Sequence, residues 1–446
     1  MEKQSLYGSI LSENRPPLIN KAVVQINGTT NGYPAQLLLD ESILSKHIML
    51  IGGTGCGKTN TFLYLVEQTK NTMTENDVMI IFDTKGDYYR RFYNSSKDKV
   101  ITASTDEFNS IDKWNVFREI LVDGINRETI EANVNEIAWG LFSDSISKNN
   151  SNPFFPNAAR DLFAAIMICL IRKTGNKPEL IDKYLDNEYL KNFFDSLTVS
   201  TLKSLFKDQY DQMSVMTYIG DGENTQGLGV LAELQTVVRK IFVGAFAEKG
   251  GYSIREFVRN RRAKTLFIEY DLDRGSSLTP VYKLLFDLAF KESMGKHAKE
   301  RIENKRRGNV YFFCDEFKLL PDLQHIEDAV NFGRSMGIKV FAGLQSIDQL
   351  TENYGEARGK NIIAGFSTVM SFRANDENTR QFTTGKYGKN YVLEQYISSI
   401  TNSMPEEKRL GNVVEDWEIC ALDVGEAIIG LPECEPFKFQ FEEYKK

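Results

Sequence analysis

An α/β fold interrupted by an all-helical segment is what the sequence predicts, on three observations. Short apolar runs alternate with amphipathic stretches from Leu37 to about Trp114. Strand-like runs then vanish until about Gly251, and they return from Lys264 onward. Alternation of strand-length and helix-length segments is the rhythm of a parallel sheet with helical crossovers. The simplest path is one α/β domain carrying a helical insertion, with boundaries at 1–115, 116–250 and 251–446.

The first region supplies strands at 47–51, 78–82 and 100–102, with a helix at 61–70 between the first two. In the middle region the spacings Ile130, Val134, Ile137, Leu141 and Leu162, Ile166, Cys169, Leu170 put apolar side chains on helix faces. The last region reads as strands at 265–270, 310–313, 339–344 and 368–372, separated by helix-length segments.

After the first strand comes Gly52, Gly53, Thr54, Gly55, Cys56, Gly57, Lys58, Thr59, which satisfies G-x-x-x-x-G-K-[ST]. Glycines free the backbone to wrap its N–H groups around a polyphosphate. Lys58 would meet the β- and γ-phosphates, the Thr59 hydroxyl would hold Mg²⁺, and the helix start adds its positive end. A Gly-rich turn can match the pattern by chance, but a strand before it and a helix after it are the context the motif demands. Cys56 reads as a small filler, or as a thiol activated by the helix N-terminus.

A second acidic element follows the strand at 310–313: Cys314, Asp315, Glu316. An Asp-Glu pair after a strand is common on surfaces, but beside a phosphate loop it supplies the other half of one site, with Asp315 on the metal and Glu316 on the attacking water. Gln345 closes the strand at 339–344 and would sit beside Asp315 if the two strands are parallel neighbours. Arg334 reads equally as a solvated helix residue and as the cation that a neighbouring subunit inserts to neutralise charge.

The 446 residues carry a net charge of −7, so nucleic acid, if handled, is met by local basic patches rather than by the overall field. The densest such runs are 255–264 and 296–307. Glu300 and Glu303 interrupt the second, which favours a solvated helix there. Five cysteines without a CxxC pair argue against a zinc site and fit a reducing compartment. Residues 1–20 lack a signal-peptide core, and the longest apolar run, 162–171, is about half of a bilayer span, so a cytoplasmic chain without a transmembrane segment is expected.

Six segments in order are similar to those of the type IV coupling proteins, FtsK/HerA-related ATPases that deliver DNA and protein into conjugation and type IV secretion channels. They are residues 47–52 entering the loop, Asp83-Thr84-Lys85-Gly86-Asp87, Asn152 to Asp161, Cys314 to Phe317, Gly333-Arg334, and Gln345 to Leu350. The resemblance spans about residues 28–444. It implies a RecA-like P-loop nucleotide-binding domain with an inserted all-α domain, ATP and Mg²⁺ as cofactors, and a homo-hexamer with DNA in a central channel. It further implies Arg334 acting in trans, Gln345 coupling hydrolysis to motion, and Asp83 and Lys85 near the nucleotide. Thr84, Asp87 and Cys56 replace the family's usual Pro, Glu and Ser. The family's transmembrane helices are not seen before Leu18, so the expectation is either an anchorless member that reaches the membrane through a partner or a soluble relative, such as a DNA-processing motor, with another task.

The leading expectation is therefore an ATP-driven DNA translocase that also recruits relaxase, secreted proteins or channel components. A recruitment platform with an ATP-controlled assembly switch is the second reading, and a small-molecule phosphotransferase a weak third.

Overall fold

The computed structural model describes residues 3–104, 112–149, 151–220, 225–395 and 406–445. Met1 and Glu2, at the head of the N-terminal stretch read above, lie outside the described residues. Among the described residues, fourteen strands form two sheets. A small one pairs β1 (Lys3–Tyr7), β11 (Lys389–Gln395) and β12 (Glu406–Asn412). The large one holds the other eleven: β2 (Val24–Thr30), β3 (Tyr33–Leu39), β4 (Ile48–Ile51), β5 (Val78–Asp83), β6 (Lys99–Ile101), β7 (Lys264–Glu269), β8 (Val310–Cys314), β9 (Ile338–Leu344), β10 (Thr368–Phe372), β13 (Glu426–Gly430) and β14 (Phe437–Phe441). Their order is β3-β2-β14-β13-β10-β4-β9-β8-β5-β7-β6.

From β10 to β6 every neighbour is parallel, whereas β13, β14, β2 and β3 extend the sheet antiparallel. The seven parallel strands are the seven read from the sequence. They were legible because a strand buried on both faces is an unbroken apolar run. Period-two alternation then divides each strand between two cores. Met49, Ile51, Ile80, Phe82, Phe312 and Val340 join the helical side. Ile48, Leu50, Ile81, Phe313, Phe341 and Met370 face the helix Lys58–Thr72 with Phe62, Leu65 and Val66.

The helical segment lies between β6 and β7. Its long helices are Arg127–Lys148, Phe154–Lys173 and Thr225–Ile241. It leaves and rejoins the α/β part at one place: Trp114 bridges Tyr252, and the Asn115 N–H donates to the Tyr252 carbonyl at 2.9 Å. The helix Gly275–Met294, which follows β7, packs against both the segment and the sheet, so one continuous apolar core runs through all three.

The apolar run 162–171 lies within the helix Phe154–Lys173. Within this 20-residue helix an 18-residue stretch has a mean hydropathy of 1.6, enough by length and composition for a bilayer, but 72% of that stretch is buried inside the fold. Asn157, Arg160 and Asp161 shorten the run as read in sequence.

Candidate nucleotide site

The phosphate loop stands at the carboxyl end of β4, between β10 and β9. Its shape is enforced by close approach and by positive φ. Gly57 has φ 110°, and a Cβ there would meet the Gly425 Cα at 2.8 Å. Gly55 has φ 73° with no atom within 4 Å of such a Cβ, so its exposed side is open. Two neighbouring elements clamp the loop: the Gly53 N–H donates to the Arg373 carbonyl at 2.8 Å, and the Gly425 N–H to the Cys56 carbonyl at 2.9 Å. Cys56 is 1% exposed, which fits the filler reading.

Lys58 is buried and donates its ammonium to the Gly52 and Gly53 carbonyls at 2.6 and 2.9 Å. Those bonds hold the cation inside the loop's curve, where a phosphate oxygen would meet it. The Thr59 hydroxyl donates to Asp315 Oδ2 at 2.9 Å across 256 residues of sequence. Burial raises the Asp315 carboxyl above the usual range, while the bonds from Tyr88 and Thr59 and the Lys58 charge pull it back. A hydroxyl and a carboxylate this close are the hard oxygen donors that suit Mg²⁺, which fits the pair to the metal assigned from sequence.

β8 and β9 are parallel neighbours, the condition under which Gln345 meets the acidic pair. They approach tightly: a Cβ on Gly343 would lie 2.1 Å from the Asp315 carbonyl oxygen. The Gln345 amide donates to both Glu316 carboxylate oxygens at 3.3 and 3.1 Å. The Thr54 hydroxyl reaches Gln345 Oε1 at 3.4 Å, and the Gln345 N–H is held by Gln349 Oε1 at 3.1 Å. One end of the sheet thus gathers Lys58, Thr59, Asp315, Glu316 and Gln345.

Other residues singled out from sequence take different positions. Asp83 is 1% exposed, and its carboxylate accepts from backbone groups just downstream, the Tyr89 N–H at 2.8 Å and the Lys85 N–H at 3.4 Å. Burial raises its carboxyl, and those two bonds oppose the rise. Lys85 is exposed, near enough for its charge to be felt by Asp315. Arg334 stands at the other end of β9, about 20 Å along the strand from Gln345. Within one chain it does not meet the loop. It lines a cleft of about 540 Å³ with Arg307, and neither guanidinium has an ion-pair or hydrogen-bond partner among the described residues.

The run 255–264, offered for phosphate contact, is largely built inward. Arg255 and Arg259 both bond Glu292, at 2.9 and 2.7 Å, and both bond Asp123. Their side chains are 8% and 16% exposed, and Arg261 is 4% exposed. A guanidinium buried against two carboxylates is a structural weld, because leaving water without such partners is prohibitive. Among the basic residues of 296–307, Lys296, Lys299, Lys305, Arg306 and Arg307 are exposed. Tyr88, missed from sequence, donates to Asp315 Oδ2 at 2.9 Å. Nothing in a tyrosine after Gly-Asp signals a contact 227 residues away.

The geometry has counterparts. Residues 35–433 match the family model described as the type IV secretion-system coupling protein DNA-binding domain. The coupling protein TraD of Escherichia coli K12 is 24% identical over 366 residues, 79% of this chain and 45% of that protein. Protein VirD4 of Rhizobium rhizogenes is 24% identical over 352 residues, 74% of this chain and 48% of that protein. The chain thus spans about half the length of these curated relatives. Among solved structures, the conjugative coupling protein TrwB superposes with a TM-score of 0.70 at 18% identity, over 100% of this chain and 94% of that one, in its unbound form. TrwB structures with a non-hydrolysable ATP analogue and with ADP and Mg²⁺ agree equally well, at TM-scores of 0.70 and 0.69. The fold is therefore RecA-like with a P-loop, and by the match over residues 35–433 the chain belongs to the type IV secretion-system coupling protein family.

Proposed function

We propose that this chain is the ATP-hydrolysing motor of a coupling protein, moving DNA and attached protein toward a conjugation or type IV secretion channel. One observation carries the reading: Lys58, Thr59, Asp315, Glu316 and Gln345 converge at the carboxyl end of one parallel sheet. In this reading the loop N–H groups and Lys58 bind the ATP phosphates. Thr59 and Asp315 would hold Mg²⁺, which would supply positive charge to offset that of the phosphates. Glu316 orients and deprotonates the attacking water, and Gln345, bonded to Glu316, carries its state to β9.

Arg334 lies too far along β9 to serve its own site, which supports a role at a neighbour's nucleotide in a head-to-tail ring, six copies by the family resemblance. DNA would pass through the centre of that ring, gripped by backbone charge without sequence preference. We divide the chain into an α/β domain of 1–115 and 251–446 and a helical domain of 116–250, placed on the cytoplasmic side of the inner membrane. The test is ATPase activity with and without DNA. Stimulation by DNA that vanishes in Lys58→Ala and Glu316→Gln is expected; ATP binding without hydrolysis under any DNA condition would overturn the reading.

A second reading, protein recruitment by the helical domain, is favoured by apolar side chains exposed on it: Trp139, Phe154, Tyr210 and Leu228. It expects partner capture by residues 116–250 in the full chain to survive Lys58→Ala, and loss of capture in that variant would count against it.

A further inference from the structure

We infer that Tyr88 is a positioning residue for the metal side of the nucleotide site, its hydroxyl holding the Asp315 carboxylate in place alongside Thr59. The inference rests on the nucleotide reading above. Gly86 at φ 69° turns the chain after β5, and Asp83 ties that turn through the Lys85 and Tyr89 N–H groups. The short helix Asp87–Phe92 therefore starts where Tyr88 points inward. Its ring is 3% exposed, and its hydroxyl donates to Asp315 Oδ2 at 2.9 Å.

The same oxygen also accepts from Thr59 at 2.9 Å. A hydroxyl that lends a lone pair to a divalent cation keeps its O–H, so Thr59 can face the metal and still donate to Asp315. Thr59 would be shared with the metal, and Tyr88 is the other side-chain donor on Asp315 Oδ2 among the described residues. A carboxylate that must face a metal or its water needs such a tie, because groups that orient ligands set much of a site's affinity. Packing alone does not call for the hydroxyl, since phenylalanine fills the same space, and a buried O–H is tolerated where it has a partner. The segment 83–88 thus acts as a scaffold: Asp83 shapes the turn, and the turn delivers Tyr88 to Asp315.

The test compares the full chain with Tyr88→Phe by binding of a fluorescent ATP analogue, first in EDTA and then across a Mg²⁺ titration. Equal affinity is expected in EDTA. The Mg²⁺ concentration that gives half of the metal-dependent tightening should rise on the order of tenfold in the variant, with turnover at saturating Mg²⁺ within about twofold. Equal Mg²⁺ midpoints in two proteins that bind equally in EDTA would overturn the inference. 3-Fluorotyrosine at position 88 keeps the ring and a stronger O–H donor, and guards against a Tyr88→Phe chain that does not fold. It should hold the midpoint at or below the parent's, and a raised midpoint would also overturn the inference. If the parent chain binds no nucleotide at all, the function proposed above fails instead, so the two failures are distinct.

Discussion

The two ends of the parallel strands follow opposite rules. At the carboxyl end nearly every polar group is engaged: Lys58 with two carbonyls, Thr59 and Tyr88 with Asp315, Gln345 with Glu316. At the amino end the Arg307 and Arg334 guanidinium groups line an open cleft without ion-pair or hydrogen-bond partners among the described residues, beside a buried His47 that accepts the Val340 N–H at 3.0 Å. The first end is preorganised to receive a ligand within one chain. The second presents charge outward and makes sense only against something outside the chain. A parallel sheet allows this division because its strand ends are chemically distinct, with loops and helix N-termini gathered at the carboxyl side.

The largest expected effect sharpens that contrast. Arg334→Ala should lower ATP turnover about 10³-fold in the assembled protein, yet leave nucleotide affinity and urea midpoint unchanged. A loss of binding equal to the loss of turnover would place Arg334 within its own site and break the comparison.

His47 comes next. Burial holds its imidazole down at about 4, with the Arg334 and Lys339 charges adding to the effect and the Val330 carbonyl opposing it. The folded chain therefore refuses a proton that the unfolded chain accepts. The stability tied to this group is whole above the ordinary histidine value of about 6.5 and is lost as pH falls toward 4, by about 3 kcal/mol. Urea midpoints between pH 7 and pH 4.5 should fall less in His47→Gln than in the parent; parallel curves would show that His47 is not the group responsible.

At the carboxyl end, Gly57→Ala should cost about 1–3 kcal/mol through strain at φ 110°, and nucleotide affinity should fall with it because the loop is displaced. Thermal melting and analogue binding measure the two effects. The smallest expected change is at Arg307→Ala, within about 0.5 kcal/mol of the parent in urea, as befits an exposed side chain with no contact to lose.

What the sequence made legible was local. The loop's glycines, the strand before it and the Asp-Glu pair are short-range patterns, and each of the seven parallel strands holds a short apolar run. The antiparallel extension through β13, β14, β2 and β3 was not legible: Phe437–Phe441 is buried in alternation with half-exposed residues, a weaker signal than an unbroken apolar run. Arg255 and Arg259 looked like a phosphate-binding run because their carboxylate partners, Asp123 and Glu292, are more than thirty residues away in either direction. The pairing of Gln345 with Glu316 could be stated from sequence only as a condition on strand order. The structure meets that condition through the register of β8 and β9.

The bridge between Trp114 and Tyr252 has a consequence for attempts to take the molecule apart. The chain leaves and returns at neighbouring backbone positions, so a short linker could close the gap were the helical segment deleted. The gap in the chain is easy to close, but the gap in the interior is not. Helix Gly275–Met294 would lose the cover that residues such as Leu284 and Leu288 now share with the segment's helices. Connectivity makes the insertion look modular, while solvent treats the two parts as one body that melts together.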